Sequence, residues 1–161
     1  MKNFIIVAIL LIGNVAVGQK KECKLWLGDT YDSIDVIKAT AEQYLQFQLK
    51  LVPNEDGSKT MYEMKDNEGF CQVKIWMKQK RFLSGTTMTS VYFINSIKVI
   101  CLAERNETLF AALKEKVAAC ITESTKMNAV FSTGKMSIEN QGGDWSKKNL
   151  PMSTLTITPV N

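Results

Sequence analysis

Apolar residues recur at helical spacing near the start of the chain. Between Ser33 and about Leu49 they are separated by three or four residues: Ile34, Ile37, Ala41, Tyr44 and Leu45. This spacing places them on one face of an amphipathic helix, and Ser33 or Asp32 is suited to cap its start. Pro53 and the polar stretch 54–58 predict a loop that follows this helix.

An alternating pattern follows and predicts three antiparallel strands joined by turns at residues 66–69 and 84–88. Both turns put apolar residues on the same face of the middle strand. A register shifted by one residue would place those residues on the opposite face. The second turn also places Cys71 opposite Cys101. The other predicted cross-strand pairs are Met64 with Cys71, Tyr62 with Val73, Thr60 with Ile75, Val73 with Val99 and Ile75 with Ile97.

Helical spacing returns in the second half of the chain. Asn106 or Thr108 begins the second predicted helix, whose apolar stripe is Leu109, Leu113, Val117, Cys120 and Ile121. Two strands follow, one over residues 129–138 with a kink or bulge at Gly134 and one over residues 154–158. We therefore expect an α+β fold: a helix packed on a three-stranded antiparallel meander, then a second helix and two C-terminal strands. The sequence shows no internal repeat.

The N-terminal residues have the pattern of a secretory signal peptide. Lys2 precedes an apolar run over residues 4–12, and the small residues Ala16 and Gly18 follow it. The run is shorter than the ~20 residues that span a bilayer, so no membrane span is expected. We predict a signal peptide over residues 1–18 and a single secreted domain over residues 19–161.

The four cysteines predict two disulfides, as an even count in a secreted chain commonly does. Cross-strand neighbours have Cα separations that a disulfide tolerates, so we expect a Cys71–Cys101 bond. The remaining pair is Cys23–Cys120. The chain has no Cys-x-x-Cys motif, which argues against zinc-ribbon and thioredoxin-like proteins.

Composition excludes several kinds of chemistry. The chain is 45% hydrophobic with a formal charge of +4, typical of an ordinary globular domain. It has no histidine, which removes Ser-His-Asp and Cys-His catalysis and His-liganded metal sites. The acidic residues Asp29, Asp32 and Asp35 lack the glycine and glutamate of a calcium loop and suit a helix start instead. We expect neither an enzyme nor a bound metal or cofactor.

One modification site is predicted. Asn106, Glu107 and Thr108 form an N-glycosylation sequon, which fits a secreted glycoprotein. The alternative is that Asn106 caps the second helix, which would not exclude the sugar.

Two groups of residues are candidates for binding. The second face of the meander carries large apolar side chains that a partner, an apolar ligand or the chain's own C-terminal half could cover: Phe70, Trp76, Tyr92, Ile94 and Leu102. A basic cluster could contact an anionic partner such as a glycosaminoglycan or phospholipid: Lys74, Lys78, Lys80 and Arg81. Its alternative role is to protect a strand end from edge pairing. Nucleic acid is not expected as a partner of a secreted chain.

The order of a helix followed by an antiparallel meander in a small disulfide-bonded chain resembles the cystatin architecture. That resemblance implies inhibition of papain-like proteases through a Gln-x-Val-x-Gly hairpin and a Pro-Trp hairpin. Residues 72–76, Gln-Val-Lys-Ile-Trp, depart from the first motif, and Pro151-Met152 departs from the second. The leading hypothesis is therefore a secreted protein that binds an extracellular protein or a small apolar ligand. A cystatin-like inhibitor with degenerate loops is the alternative, and a histidine-independent enzyme the third.

Overall fold

A computed structural model describes residues 23–54, 57–141 and 150–160 and shows a mixed α+β fold. The predicted signal peptide and Gln19 lie outside these residues. In this described part of the chain, two helices and eight strands follow in chain order: α1 (Ile34–Leu45), β1 (Lys50–Val52), β2 (Met61–Lys65), β3 (Gln72–Ser84), β4 (Thr87–Leu102), α2 (Ala103–Lys116), β5 (Ile121–Ser124), β6 (Asn128–Phe131), β7 (Gly134–Gln141) and β8 (Met152–Pro159). Short 3-10 helices, Tyr31–Ser33 and Ala118–Cys120, precede α1 and follow α2.

All eight strands form one antiparallel sheet in the order β1-β2-β3-β4-β8-β7-β6-β5. Each half of the chain supplies one helix followed by four strands, and the last strands of the two halves, β4 and β8, pair at the centre. The two halves thus have the same order of one helix and four antiparallel strands, although the sequence shows no internal repeat. The sequence predicts five strands, because β1 and β5 fall at the ends of the two predicted helices, and β6 and β7 merge into one kinked strand.

The core lies between one face of the sheet and the two helices. Val73, Ile97 and Leu155 are at most 3% exposed on that face and alternate with polar residues along their strands. A void of about 10 Å³ lies where α1, α2 and the central strands meet. That volume is barely that of one water probe, so this void between the helices and the sheet has no space for an organic ligand.

The two predicted hairpins differ in how well their registers were predicted. Val73 lies opposite Val99, and Ile75 lies opposite Ile97, which confirms the second register. In the first hairpin Met64 lies opposite Val73 instead of Cys71, a slip of two residues. Asp66 explains the slip: its carboxylate accepts hydrogen bonds from the backbone N–H groups of Glu68 and Cys71 and holds a longer loop. Because the slip is even, the buried face is unchanged.

The helix boundaries also differ from the prediction. α1 ends at Leu45 because Gln46 adopts the left-handed conformation with φ 58°. Glu42 stabilises this end, since its carboxylate accepts hydrogen bonds from Lys38 and from the N–H of Leu49, and these interactions lower the pKa of Glu42. At the start of α1, the Ser33 hydroxyl donates to Asp29 and makes no cap hydrogen bond.

Candidate functional site

The hairpin of β3 and β4 extends well beyond the rest of the sheet. β2 pairs with β3 only as far as Trp76, and β8 pairs with β4 only from Ile97 onward. Beyond these points β3 and β4 continue to pair with each other up to Ser84 and Thr87. At about 3.3 Å per residue, this two-stranded extension projects roughly 20–25 Å. We call residues 78–93 the arm.

The end of the arm is apolar on both of its faces. Phe82, Leu83 and Met88 are 48%, 70% and 62% exposed, among the most exposed large apolar side chains of the described residues. Leu83 lies opposite Met88 on one face, and Phe82 lies on the other because side chains alternate along a strand. The turn between them has Gly85 at φ 62° in its first central position, as a type II′ hairpin turn requires. We call Phe82, Leu83 and Met88 the tip.

Basic residues lie immediately behind the tip. Lys78 and Lys80 are on the Phe82 face of the arm, and Arg81 is on the Leu83 face. All three are exposed, and none of them forms an ion pair within the described ranges 23–54, 57–141 and 150–160. We call these three residues the collar. The arm therefore has an apolar end followed by positive charge on both faces.

A groove of about 420 Å³ lies where the arm leaves the sheet. Lys78, Lys80 and Phe93 line it from the arm, and Lys24 lines it from the N-terminal segment. The Lys80 Nζ lies 5.3 Å from the centre of the Phe93 ring, a cation–π distance, and Lys24 pairs with Asp29 at 2.8 Å. The groove thus combines positive charge with an aromatic wall.

The N-terminal segment, residues 23–29, holds the base of the arm. The N–H of Gly28 donates to the carbonyl of Ile94 at 2.8 Å, and the N–H of Ile94 donates to the carbonyl of Asp29 at 2.7 Å. A disulfide joins Cys23 to Cys120, the pairing that the sequence predicts. Ile94, the β4 residue at the base of the arm, therefore pairs with β3 on one side and with this segment on the other.

The predicted apolar binding face is not a single surface, which corrects the sequence prediction. The register shifts between Trp76 and Met77, so Asn95 is an extra residue on β4. Because of this β-bulge, the β4 side chains on the arm side of Asn95 lie on the opposite face from the one that strict alternation predicts. Ile94 is therefore only 2% exposed in the core, and Tyr92 packs against that core instead of lying beside Trp76.

The other residues of that predicted face lie apart from one another. Trp76 is half-buried on the face of the sheet opposite the helices, and Leu102, also half-buried, packs against the core at the end of β4. Phe70 is in the β2–β3 loop, where its ring stacks on Phe47 with centroids 6.4 Å apart. Of the predicted basic cluster, Lys78, Lys80 and Arg81 lie in the arm. Lys74 lies within the sheet, opposite Glu63.

Asn106 has a structural role that conflicts with the predicted glycosylation. Its side chain is fully buried, and its Nδ2 donates to the carbonyls of Val99 and Ser153 and to the Ser153 hydroxyl. N-glycosylation uses this same nitrogen, so the folded chain has no room for a sugar there. Asn106 does not cap α2 either, because that helix begins at Ala103. Its amide instead joins α2 to β4 and β8.

Cys71 and Cys101 are buried free thiols in hydrogen-bond contact at the end of the β3–β4 ladder. The hydrogen bond with Cys101 and burial raise the pKa of Cys71 far above its usual value. The structure therefore contains the predicted neighbours without the predicted bond, and the Cys71–Cys101 disulfide stays a prediction.

The described residues offer few other candidates for a metal-binding or catalytic site. Within residues 23–54, 57–141 and 150–160, no three His, Cys, Asp or Glu side chains are grouped to hold a metal ion. Asp29 pairs with Lys24, and Asp32 accepts a hydrogen bond from Thr30, so both serve the entry to α1. None of the helices in this described part is long and apolar enough to cross a membrane.

The fold and the site together define an α+β protein with a braced, projecting hairpin. Comparison with known proteins adds no relative: no family model, curated protein or solved structure matches the chain. The residues aligned above with the cystatin hairpin motif, 72–76, lie within β3 between two neighbouring strands and not at a turn. The order of a helix followed by an antiparallel meander, on which that resemblance rests, is present in α1 and β1–β4, and the cystatin-like alternative stays a prediction.

One signal in the sequence could have identified the arm. No Asp or Glu occurs between Glu68 and Glu104, although the chain has 16 acidic residues. The same stretch contains five basic residues: Lys74, Lys78, Lys80, Arg81 and Lys98. This charge asymmetry coincides with β3 and β4.

Proposed function

We propose that this chain is a secreted, non-enzymatic protein that binds an extracellular partner through the arm. The observation that carries the proposal is the tip: three large apolar side chains are exposed at the end of a braced hairpin. Exposed apolar side chains that are grouped together favour association, whereas scattered ones are ordinary. The signal-peptide pattern and the Cys23–Cys120 disulfide support secretion.

The filled core favours a partner over an enclosed apolar ligand. The void between helices and sheet, at about 10 Å³, has no space for an organic molecule. The groove at the base of the arm is larger but open and lined by three lysines, so it suits an anionic group better than an apolar one. The lack of histidine supports a binding role over catalysis.

Replacing Leu83 and Met88 by Asp is expected to weaken binding to the extracellular partner. The double variant L83D/M88D puts two charges where the proposal needs apolar contact, and we expect affinity to fall at least about tenfold. Both sites are exposed, so the urea midpoint should fall only slightly, through repulsion between two carboxylates that face each other across the hairpin. The labelled, secreted protein is tested for saturable binding to intact cells of its source. The same protein is then tested for binding to components of the fluid around those cells.

The matched control is V36D/L51D, which changes two exposed apolar side chains outside the arm, 55% and 52% exposed. It should bind like the unmodified protein. Equal binding by all three proteins, or no saturable binding by the unmodified protein, would contradict the proposal.

A further inference from the structure

The distribution of apolar and basic residues on the arm indicates how a partner approaches it. A ribbon that lies flat on a partner needs apolar residues on one face only. Here Phe82 lies on one face, and Leu83 and Met88 lie on the other. An end that is apolar on both faces is suited to being surrounded by an apolar medium. The partner is therefore expected to contact the arm at its end and not along one face.

The collar lies at a definite depth behind the tip. Arg81 and Lys80 are two and three residues before Leu83 along β3, which corresponds to about 7 and 10 Å at the ordinary rise per residue. Segments that bind at a bilayer interface bury their apolar residues about 5–10 Å into the boundary between headgroups and acyl chains. With the tip inserted to that depth, both basic side chains reach the phosphates.

The charge of this region is complementary to an anionic surface. No acidic residue lies between Glu68 and Glu104, so no carboxylate on either strand of the arm opposes an approach to negative charge. Near an anionic leaflet each Lys or Arg adds a comparable increment to membrane affinity. Lys78 lies deeper on the arm and extends the same positive potential toward the groove, while Lys24 in that groove is paired with Asp29.

We propose that the partner of the arm is the surface of a lipid bilayer containing anionic phospholipids, which the tip enters and the collar contacts. This inference rests on the proposed function, since it identifies the partner of the same arm. Binding is peripheral: three apolar side chains insert, and the sheet remains outside the bilayer. Anionic lipid and salt should both change affinity, because headgroup attraction is electrostatic and is screened by salt.

The test is co-sedimentation of the secreted protein with phosphatidylcholine vesicles, with and without phosphatidylserine. We expect binding that requires phosphatidylserine and weakens at high salt. L83D/M88D should lower the partition coefficient at least about tenfold, because it replaces two of the three inserting side chains by carboxylates that an anionic surface repels. The collar variant K78Q/K80Q/R81Q should lower it roughly 100-fold, about fivefold for each basic residue.

The matched control K59Q/K126Q/K135Q removes the same net charge from exposed lysines outside the arm. It should change the partition coefficient less than about threefold, since these lysines lie off the arm. Equal losses in the control and the collar variant would overturn the inference, because they would show attraction by net charge alone. Failure of the unmodified protein to bind phosphatidylserine vesicles would overturn it as well.

Heparin and an acidic protein serve as competing anions. If they bind the collar and vesicles do not, the lipid inference is wrong while the arm remains the binding element. If vesicles and cells both fail to bind through the tip, the proposed function is wrong too.

Discussion

Replacing both Cys23 and Cys120 by Ala is expected to lower the free energy of unfolding by about 4–5 kcal/mol. The two cysteines are 97 residues apart in sequence, and a crosslink across a long loop removes much conformational freedom from the unfolded chain. The bond also holds the N-terminal segment, where Leu25 and Leu27 are each 7% exposed in the core. Urea unfolding of the double variant, with m-values compared, measures the loss.

The control is the Cys71→Ala/Cys101→Ala double variant. These cysteines lie at the end of a backbone ladder that keeps them together without a bond. If they form a disulfide, its loop is about three times shorter, which makes the entropic stabilisation roughly 1 kcal/mol smaller. A larger loss from this pair than from Cys23 and Cys120 would show that loop length does not decide stability in this fold.

Replacing Asn106 by Asp is expected to destabilise the protein by about 3–5 kcal/mol at neutral pH. The amide of Asn106 donates to two backbone carbonyls in a fully buried position, and a carboxylate there would face these two oxygens, which cannot donate to it, with the Ser153 hydroxyl as the neighbouring group that can. Most of the stability of an ordinary domain would be lost. Urea unfolding across a range of pH measures the effect.

The pH dependence of the loss in stability distinguishes destabilisation by a buried charge from destabilisation by a lost hydrogen bond. Burial raises the pKa of the new carboxyl in the folded state above its unfolded value of about 3.9. The folded state then favours the protonated form, so the destabilisation should be smallest below about pH 4 and grow as pH rises. Asn67→Asp, in an exposed loop, should have little effect. A pH-independent loss for Asn106→Asp would contradict the role assigned to its amide.

Local pattern was enough to predict the centre of the sheet. Along residues 72–76 and 97–101 every second residue is apolar and buried on one face, so register and face were determined together. The same alternation predicted the neighbouring thiols of Cys71 and Cys101. The stripes through Ile37 and Leu109 likewise predicted two helices.

Other features depend on contacts that are distant in sequence. The bulge at Asn95 reverses the side-chain alternation, so Ile94 was predicted on the wrong face. Asn106 forms hydrogen bonds with Ser153, 47 residues away, which a local sequon does not reveal. The arm looked like an ordinary pair of strands, because only the ends of β2 and β8 show that its outer part has no neighbours within the described sheet.

Oxidative footprinting of Met88 tests most directly whether the arm is the binding element. Met88 is 62% exposed at the tip, while Met61 and Met127 are half-buried elsewhere and serve as internal references. Hydroxyl-radical oxidation of the secreted protein is followed by mass spectrometry, alone and with intact source cells. The arm account predicts that the cells slow oxidation of Met88 at least about fivefold relative to Met61 and Met127, as burial at an interface core should. An unchanged rate at Met88, or equal slowing at all three methionines, would contradict it.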